Sequence, residues 1–215
     1  MEPSRLFLAF LNKFISLSEV EFNERILPYT QVRQFKKKEI ITQAGEVENY
    51  INFIAKGLVR KYFKKENDEI ITQISRENQI VYSQESFYGR TLSNYFLESI
   101  ESTTLLSITY DDLNTIFSAG ASMERMGRLI VTSMMLLSER WQTILLKLTP
   151  RERFLSFVQN NAELIQRVPQ KYLASLLNIQ PETFSRFKHL LKQNSGNNSG
   201  TLREGPAYKS PQFIV

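Results

Sequence analysis

The stretch PQKYLASLLNIQPETFSRFKHLL, residues 169–191, decides how the rest of the chain is read. Pro169 suits the start of a helix, because the N–H it lacks would have no intrahelical partner there. Leu173, Leu176 and Leu177 then form one apolar face, and Ala174 is small enough for a close helix crossing. Asn178 tolerates the left-handed conformation that ends a helix. Ile179 fits the corner, and Gln180 and Pro181 start a second helix. Phe184, Phe187 and Leu191 have the spacing of a core face, which leaves Glu182, Thr183, Ser185, Arg186 and Lys188 on the other side. Two short helices joined by such a corner make a helix-turn-helix, the second helix of which lies in the major groove when the motif binds DNA.

The exposed face has the chemistry for that role. Arg186 can donate two hydrogen bonds to guanine O6 and N7, and Glu182 can accept from a cytosine amine. Thr183, Ser185, Lys188, Gln170 and Lys171 can hold phosphates, which sets register without reading sequence. The competing reading is a plain helical hairpin with a solvated polar face. Charge placement argues for DNA. Between Lys147 and Lys192 there are eight basic residues against three acidic ones, an excess equal to the net charge of +5 carried by all 215 residues. A second basic group, Arg33 with Lys36, Lys37 and Lys38, reads as a solvated turn.

Working outward, Val168-Pro169 breaks the chain before the motif, and a helix is expected from Arg151 through Asn161, ending across Ala162 to Gln166. Before Thr149-Pro150 a long helix spans about Ser122 to Leu148. Its apolar residues Met123, Met126, Ile130, Met134, Leu137, Trp141, Ile144 and Leu148 alternate in steps of three and four, close to a heptad seam. A single helix cannot bury such a stripe alone. Packing on the rest of the same chain would bury it. The length of the seam favours a two-fold dimer interface, assigned to Met123, Met126, Ile130, Met134, Leu137, Trp141 and Ile144.

From Thr30 to Ile108 the texture is of short strands broken by turns: Gln31–Phe35, Glu39–Thr42, Tyr50–Ile54, Leu58–Phe63, Glu69–Ser75, Gln79–Ser83 and Leu97–Thr109. Lys64 to Asp68 reads as a hairpin loop. That pattern predicts an antiparallel sandwich or barrel. An amphipathic helix is expected over residues 5–17. Ser18 followed by Glu21 has the form of a capping box opening a second short helix. Asp111 to Phe117 predicts a helical turn.

The composition narrows the function classes. There is no cysteine, so disulfides, thiol switches and Cys-ligated clusters are excluded, and one histidine leaves no material for most catalytic triads or zinc sites. No P-loop or dinucleotide fingerprint occurs. Asp111-Asp112 begins a helix, where capping accounts for both acids. An enzyme is therefore not expected, and neither catalytic residues, nor a metal site, nor a cofactor is assigned. No stretch approaches a membrane span and Leu6–Leu11 is too short for a signal peptide, so a cytoplasmic location is expected. A ligand- or protein-binding sensor module without sequence-specific DNA binding stays open as the alternative.

The order of these parts resembles the Crp/Fnr superfamily of transcription regulators over about residues 5–193. Glu182, Thr183 and Arg186 match the family's Glu-Thr-x-x-Arg recognition pattern. Ala44-Gly45-Glu46 and Lys56-Gly57 with Arg60 look like the glycine-bearing turns of its cyclic-nucleotide-binding roll. The resemblance implies an α+β chain: an antiparallel β-roll (a double-stranded β-helix, jelly-roll-like) as sensor over residues 1–120, a dimerisation helix over 121–148, and a winged-helix-like helix-turn-helix domain over 149–193. A disordered tail is expected over 194–215. It also implies a homodimer on a palindromic double-stranded DNA operator, with an unidentified small-molecule effector left open as a partner. The family grips a cyclic nucleotide with a Gly-Glu pair and an Arg-Ser/Thr-Ala run. Here Gln79 to Ile108 has no Gly-Glu, and Ser93-Asn94 stands near the Arg-Ser positions. The phosphate would lack its bidentate cation, Arg90 being the nearest substitute. The roll is therefore expected not to bind cAMP, with Phe87, Tyr88, Tyr95 and Phe96 filling the pocket.

Overall fold

The computed structural model describes residues 2–196. Packing divides the chain into two compact units, one running through Leu136 and the other starting at Leu137.

The first unit opens with α1 (Glu2–Leu11) and α2 (Glu19–Arg25). The helix expected through residue 17 stops six residues early. Asn12 accepts a hydrogen bond from Leu17 N through its side chain, which turns the chain back instead. Ser18 and Glu21 make the expected capping box on α2. Eight strands follow: β1 (Gln31–Phe35), β2 (Ile40–Thr42), β3 (Tyr50–Lys56), β4 (Val59–Lys65), β5 (Asp68–Ser75), β6 (Ile80–Val81), β7 (Phe96–Ser99) and β8 (Thr103–Thr109). They form two antiparallel four-stranded sheets, ordered β1-β8-β3-β6 and β2-β7-β4-β5. The expected run from Leu97 to Thr109 is thus two strands in different sheets. The expected loop at Lys64–Asp68 tightens to a two-residue turn with Glu66 left-handed.

Glycine is required at one corner of the roll. Gly57 sits at φ +98°, and a Cβ there would lie 2.5 Å from Thr103 Oγ1 and 2.6 Å from Ser102 O. Only a residue without a side chain permits that approach.

Side chains on the two faces of the β1-β8-β3-β6 sheet go to separate cores. Ile54, Val81 and Leu105 point inward and meet Ile41, Val59 and Leu97 of the opposite sheet. Phe53, Ala55, Leu106 and Ile108 point outward and are covered by α1, α2, α4 (Tyr110–Ser118) and the start of α5 (Ala121–Lys147). A short helix that the pattern of strands does not predict, α3 (Gln84–Gly89), lies between β6 and β7.

The second unit holds the rest of α5 and, among the described residues, only helices after it. These are α6 (Pro150–Asn160), α7 (Ala162–Arg167), α8 (Gln170–Leu176) and α9 (Pro181–Gly196). Where one helix was expected from 151 to 166, there are two, because Asn161 leaves helical geometry at φ −138°. The wing expected of the C-terminal domain has no strand among the described residues. Helix α9 runs two residues past the expected start of the tail at 194, and the remainder of that tail, 197–215, lies outside the described residues.

Candidate functional site

The corner between α8 and α9 is built as its residues demand. Asn178 takes φ +50°, and the next amide, Ile179 N, donates to Ala174 O at 2.9 Å. Leu173, Ala174 and Leu177 are fully buried. Phe184 anchors α9 against α6 by an edge-to-face contact with Phe154, ring centroids 5.0 Å apart. With that side of α9 committed to the core, Glu182, Ser185 and Arg186 stand exposed, as do Gln170 and Lys171 on α8. Thr183 and Lys188 are half-buried at the edge of the same face. All seven residues assigned to DNA are thus near the surface on two adjoining helices.

Arg153, one of the eight basic residues counted between Lys147 and Lys192, does not lie at the surface. It is 7% exposed, and every nitrogen of its guanidinium donates to a carbonyl. Nε reaches Leu177 O at 2.8 Å, Nη2 reaches Asn178 O at 2.9 Å, and Nη1 reaches Leu148 O at 2.7 Å and Leu145 O at 3.2 Å. It ties the last turn of α5 to the corner of the helix-turn-helix. Burial pushes its pKa down, but an arginine remains charged in any such setting. Composition could not separate it from its neighbour Arg151, which is exposed.

The seam of α5 is largely used within the chain. Met123, Met126 and Ile130 are buried in the outer core of the first unit, with Met134 packed at its edge. Ile144 is buried in the second unit, while Leu137 and Trp141 are half-buried. For Met123, Met126 and Ile130, the dimer assignment therefore gives way to packing on the same chain's roll. Periodicity announces an apolar stripe and is silent about what covers it. The apolar side chains that α5 leaves open are Val131, Met135 and Leu136 in the first unit and Leu146 in the second.

Inside the roll, one end is apolar and the other polar. Lys61 lies two residues from Val59 on β4 and shares its inward face. It is 7% exposed. Its ammonium donates to Gln84 Oε1 at 2.6 Å and Tyr82 O at 3.3 Å, and sits 4.4 Å from the centre of the Tyr95 ring. Burial lowers its pKa to about 8, opposed by the charges of Glu48 and Glu85. Glu48 accepts from Thr42 Oγ1, Tyr50 N and Ser83 N, and burial still raises its carboxyl above the usual range. Arg33, opposite inward-facing Leu105 in the β1–β8 pair, stacks over Tyr50 at 4.2 Å. Its Nη1 is buried with no hydrogen-bond partner. Arg33 is therefore not part of a solvated turn, whereas Lys36, Lys37 and Lys38 are exposed.

Of the aromatics expected to fill the pocket, only Tyr95 caps this polar end. Phe87 belongs to the outer core, Tyr88 is 42% exposed beside it, and Phe96 stacks on Tyr62. Arg90 does not replace the missing phosphate-gripping arginine. Its Nη1 donates to Glu48 O at 3.0 Å, its Nη2 to Asn49 Oδ1 at 2.7 Å, and its guanidinium lies over Tyr110.

Among the described residues no group of three or more His, Cys, Asp or Glu is placed to hold a metal ion, and no helix is long and apolar enough to cross a membrane. Residues 32–119 match the family model for the cyclic nucleotide-binding domain. No curated protein matches the sequence. Several solved structures do match the fold. The c-di-GMP-responsive global regulator CLP of Xanthomonas campestris is 17% identical, with 85% of this chain and 96% of that one covered at a TM-score of 0.66. FixK2 from Bradyrhizobium japonicum is 18% identical over 80% and 89%, at 0.64. The catabolite activator protein of Thermus thermophilus is 18% identical over 89% and 91%, at 0.53. Residues 32–119 thus match the cyclic nucleotide-binding domain, and the chain shares its fold with these solved regulators.

Proposed function

We propose that this regulator is a sequence-specific DNA-binding homodimer in which α9 enters the major groove. The observation that supports this best is the division of α9: Phe184 is locked into the core, while Glu182, Ser185 and Arg186 stand free on the opposite side. Arg186 reads guanine and Glu182 accepts from cytosine. Thr183, Ser185, Lys188, Gln170 and Lys171 hold the phosphates. Two chains pair along α5 through the side chains it leaves open, Val131, Met135 and Leu136 with Leu146 beyond. They are joined by the less buried part of the original seam, Met134, Leu137 and Trp141. The helix-turn-helix heads then address half-sites about 34 Å apart.

The domains we assign are the roll over 1–120 as sensor, 121–148 as dimer helix and 149–193 as DNA-binding domain. A change in the roll would reach the heads through α5 and the Thr149-Pro150 corner, where Thr149 and Glu152 make a capping box. The roll works without cAMP, because neither Ser93 nor Arg90 offers a free cation to a phosphate.

The test is duplex binding as a function of salt with Arg186→Ala alongside the parent protein. Affinity should fall steeply with salt for both, since phosphate contacts dominate it. The variant should lose discrimination between the selected site and random duplex, and added cAMP should change neither. Equal discrimination by the variant would remove the assignment of α9 and favour the sensor-only reading.

A further inference from the structure

The outer core of the first unit, where helices cover the outward face of β3 and β8, contains a cavity of about 50 Å³. Its floor is the sheet at Phe53 and Leu106, and α4 supplies Leu113 and Phe117. Helix α5 supplies Met126, Gly127 and Ile130. Of the residues that line it, only Tyr88 and Val131 stand well exposed, at 42% and 40%. The mouth therefore opens between α3 and α5. No lining residue is charged, and Tyr88 brings the one hydroxyl. Protein interiors pack to crystal density, and a void in a core costs stability through the contacts it forgoes. A water molecule needs two to four polar partners, and this wall offers a single hydroxyl at its mouth. The wall selects a molecule without charge and with little polarity. An apolar cavity of about 150 Å³ takes benzene or xenon. One a third of that size takes xenon or the end of an alkyl chain, and a longer molecule leaves its head at the mouth beside Tyr88.

Gly127 ties this cavity to α5. Inside a helix glycine is the least favourable residue except proline, so its place in α5 calls for a packing reason. A Cβ at Gly127 would overlap Cε1 and Cζ of Phe117. The Phe117 ring of α4 thus lies directly against the backbone of α5, and both residues are part of the cavity wall. An occupant in contact with Phe117, Met126 and Ile130 bears on the first turns of the helix that runs on past Leu136 into the second unit.

We propose that this cavity binds a small neutral apolar molecule, a short alkyl chain with its uncharged head at Tyr88, and that the ligand acts on α5. The site lies on the outer side of the β1-β8-β3-β6 sheet, apart from the interior of the roll. A ligand that fits one position of α5 better than another shifts the population toward it. The action on α5 rests on reading the first unit as a sensor, whereas the binding itself does not.

The experiment is magnetic resonance of the full chain with isotope-labelled methionine methyl groups, in the absence of DNA. The titrants are xenon, hexanol and hexanoate. The Met126 methyl reports on the cavity, and Met135, 61% exposed, is the internal control. Met126→Leu assigns the signal. We expect a saturable shift at Met126 from xenon and from hexanol, with no saturable shift at Met135. Hexanoate should bind at least tenfold more weakly than hexanol, because no cation lines the mouth to compensate a desolvated carboxylate. Leu113→Phe fills the cavity from α4 and should weaken xenon and hexanol at least tenfold. Gly127→Ala, which displaces Phe117, serves as the test if Leu113→Phe does not fold. The site is overturned if neither xenon nor hexanol gives a saturable shift at Met126, or if both variants respond as the parent does. Hexanoate binding as tightly as hexanol would overturn the neutral class. Because no DNA is present, these outcomes leave the assignment of α9 to be judged separately. Duplex affinity measured with and without saturating hexanol then tests the action on α5: a change supports it, and none would overturn it while the site stands.

Discussion

Each unit buries basic side chains, and they are satisfied very differently. In the second unit all of the Arg153 nitrogens donate to carbonyl oxygens, four bonds between 2.7 and 3.2 Å that join the end of α5 to the α8–α9 corner. In the first unit Arg60 is held by the carboxylates of Glu98 and Glu69, while Lys61 donates to a side-chain amide and a carbonyl, and half-buried Arg33 has one nitrogen without an acceptor. A cation whose donors are all fixed by backbone is a strut.

The sharpest way to break this contrast is to remove the strut. Arg153→Met would leave the carbonyls of Leu145, Leu148, Leu177 and Asn178 without their donor, that of Leu177 in the buried corner of the helix-turn-helix. We expect a loss of about 3 kcal/mol or more in the stability of the second unit. Denaturant unfolding followed by Trp141 fluorescence would show it. A loss under about 1 kcal/mol would mean that the carbonyls find other partners.

Arg186→Ala is the surface counterpart. It should leave stability unchanged and cost about 1–3 kcal/mol in binding to a specific duplex, with relaxed preference at the base pair it reads. Paired binding isotherms on matched and mismatched sites would measure both effects.

Lys61→Met tests the other side of the comparison. Removing an incompletely paired buried charge should leave the fold as stable as before or stabilise it by up to about 2 kcal/mol at neutral pH. The pH dependence carries a sign. The Lys61 ammonium has a pKa of about 8 when folded and the ordinary value of 10.5 when unfolded. Between those values the unfolded chain binds more protons, so stability rises with pH from about 8 toward 10.5. Below 8 both states are protonated and the full cost of burial is present. The parent protein should therefore gain stability relative to Lys61→Met across pH 8–10. A parallel pair of stability curves would show that Lys61 titrates normally.

The smallest effect expected is from Lys171→Ala, which should lower the slope of log affinity against log salt by about 1 without changing which sequence is preferred. A shift in sequence preference would move Lys171 from the phosphates to the base edges.

The sequence displays those features that depend on spacing. The alternating runs give the β-roll its strands, Ser18 with Glu21 gives a cap, and Asn178 between two apolar faces gives the corner of the helix-turn-helix. What it hides depends on burial. Helix α3 is six residues long, too short for a helical period to stand out among strands. Met123, Met126 and Ile130 fit a heptad, but their partner is the outer face of the roll. Arg151 and Arg153 read alike, although one is exposed and the other enclosed. Arg60 and Lys61, within the run Leu58–Phe63, carry nothing in the sequence that marks them as buried. The pleat and the Val59 side chain two residues away put Lys61 inside. A buried lysine in an otherwise alternating strand is a signal that sequence can offer once the inward face is known.

The measurement that tests the central claim most directly is selection of bound sequences from a random duplex pool with the purified full-length chain. The account predicts a palindrome with half-sites about one helical turn apart, recovered without cyclic nucleotide and lost with Arg186→Ala. No enrichment would contradict it.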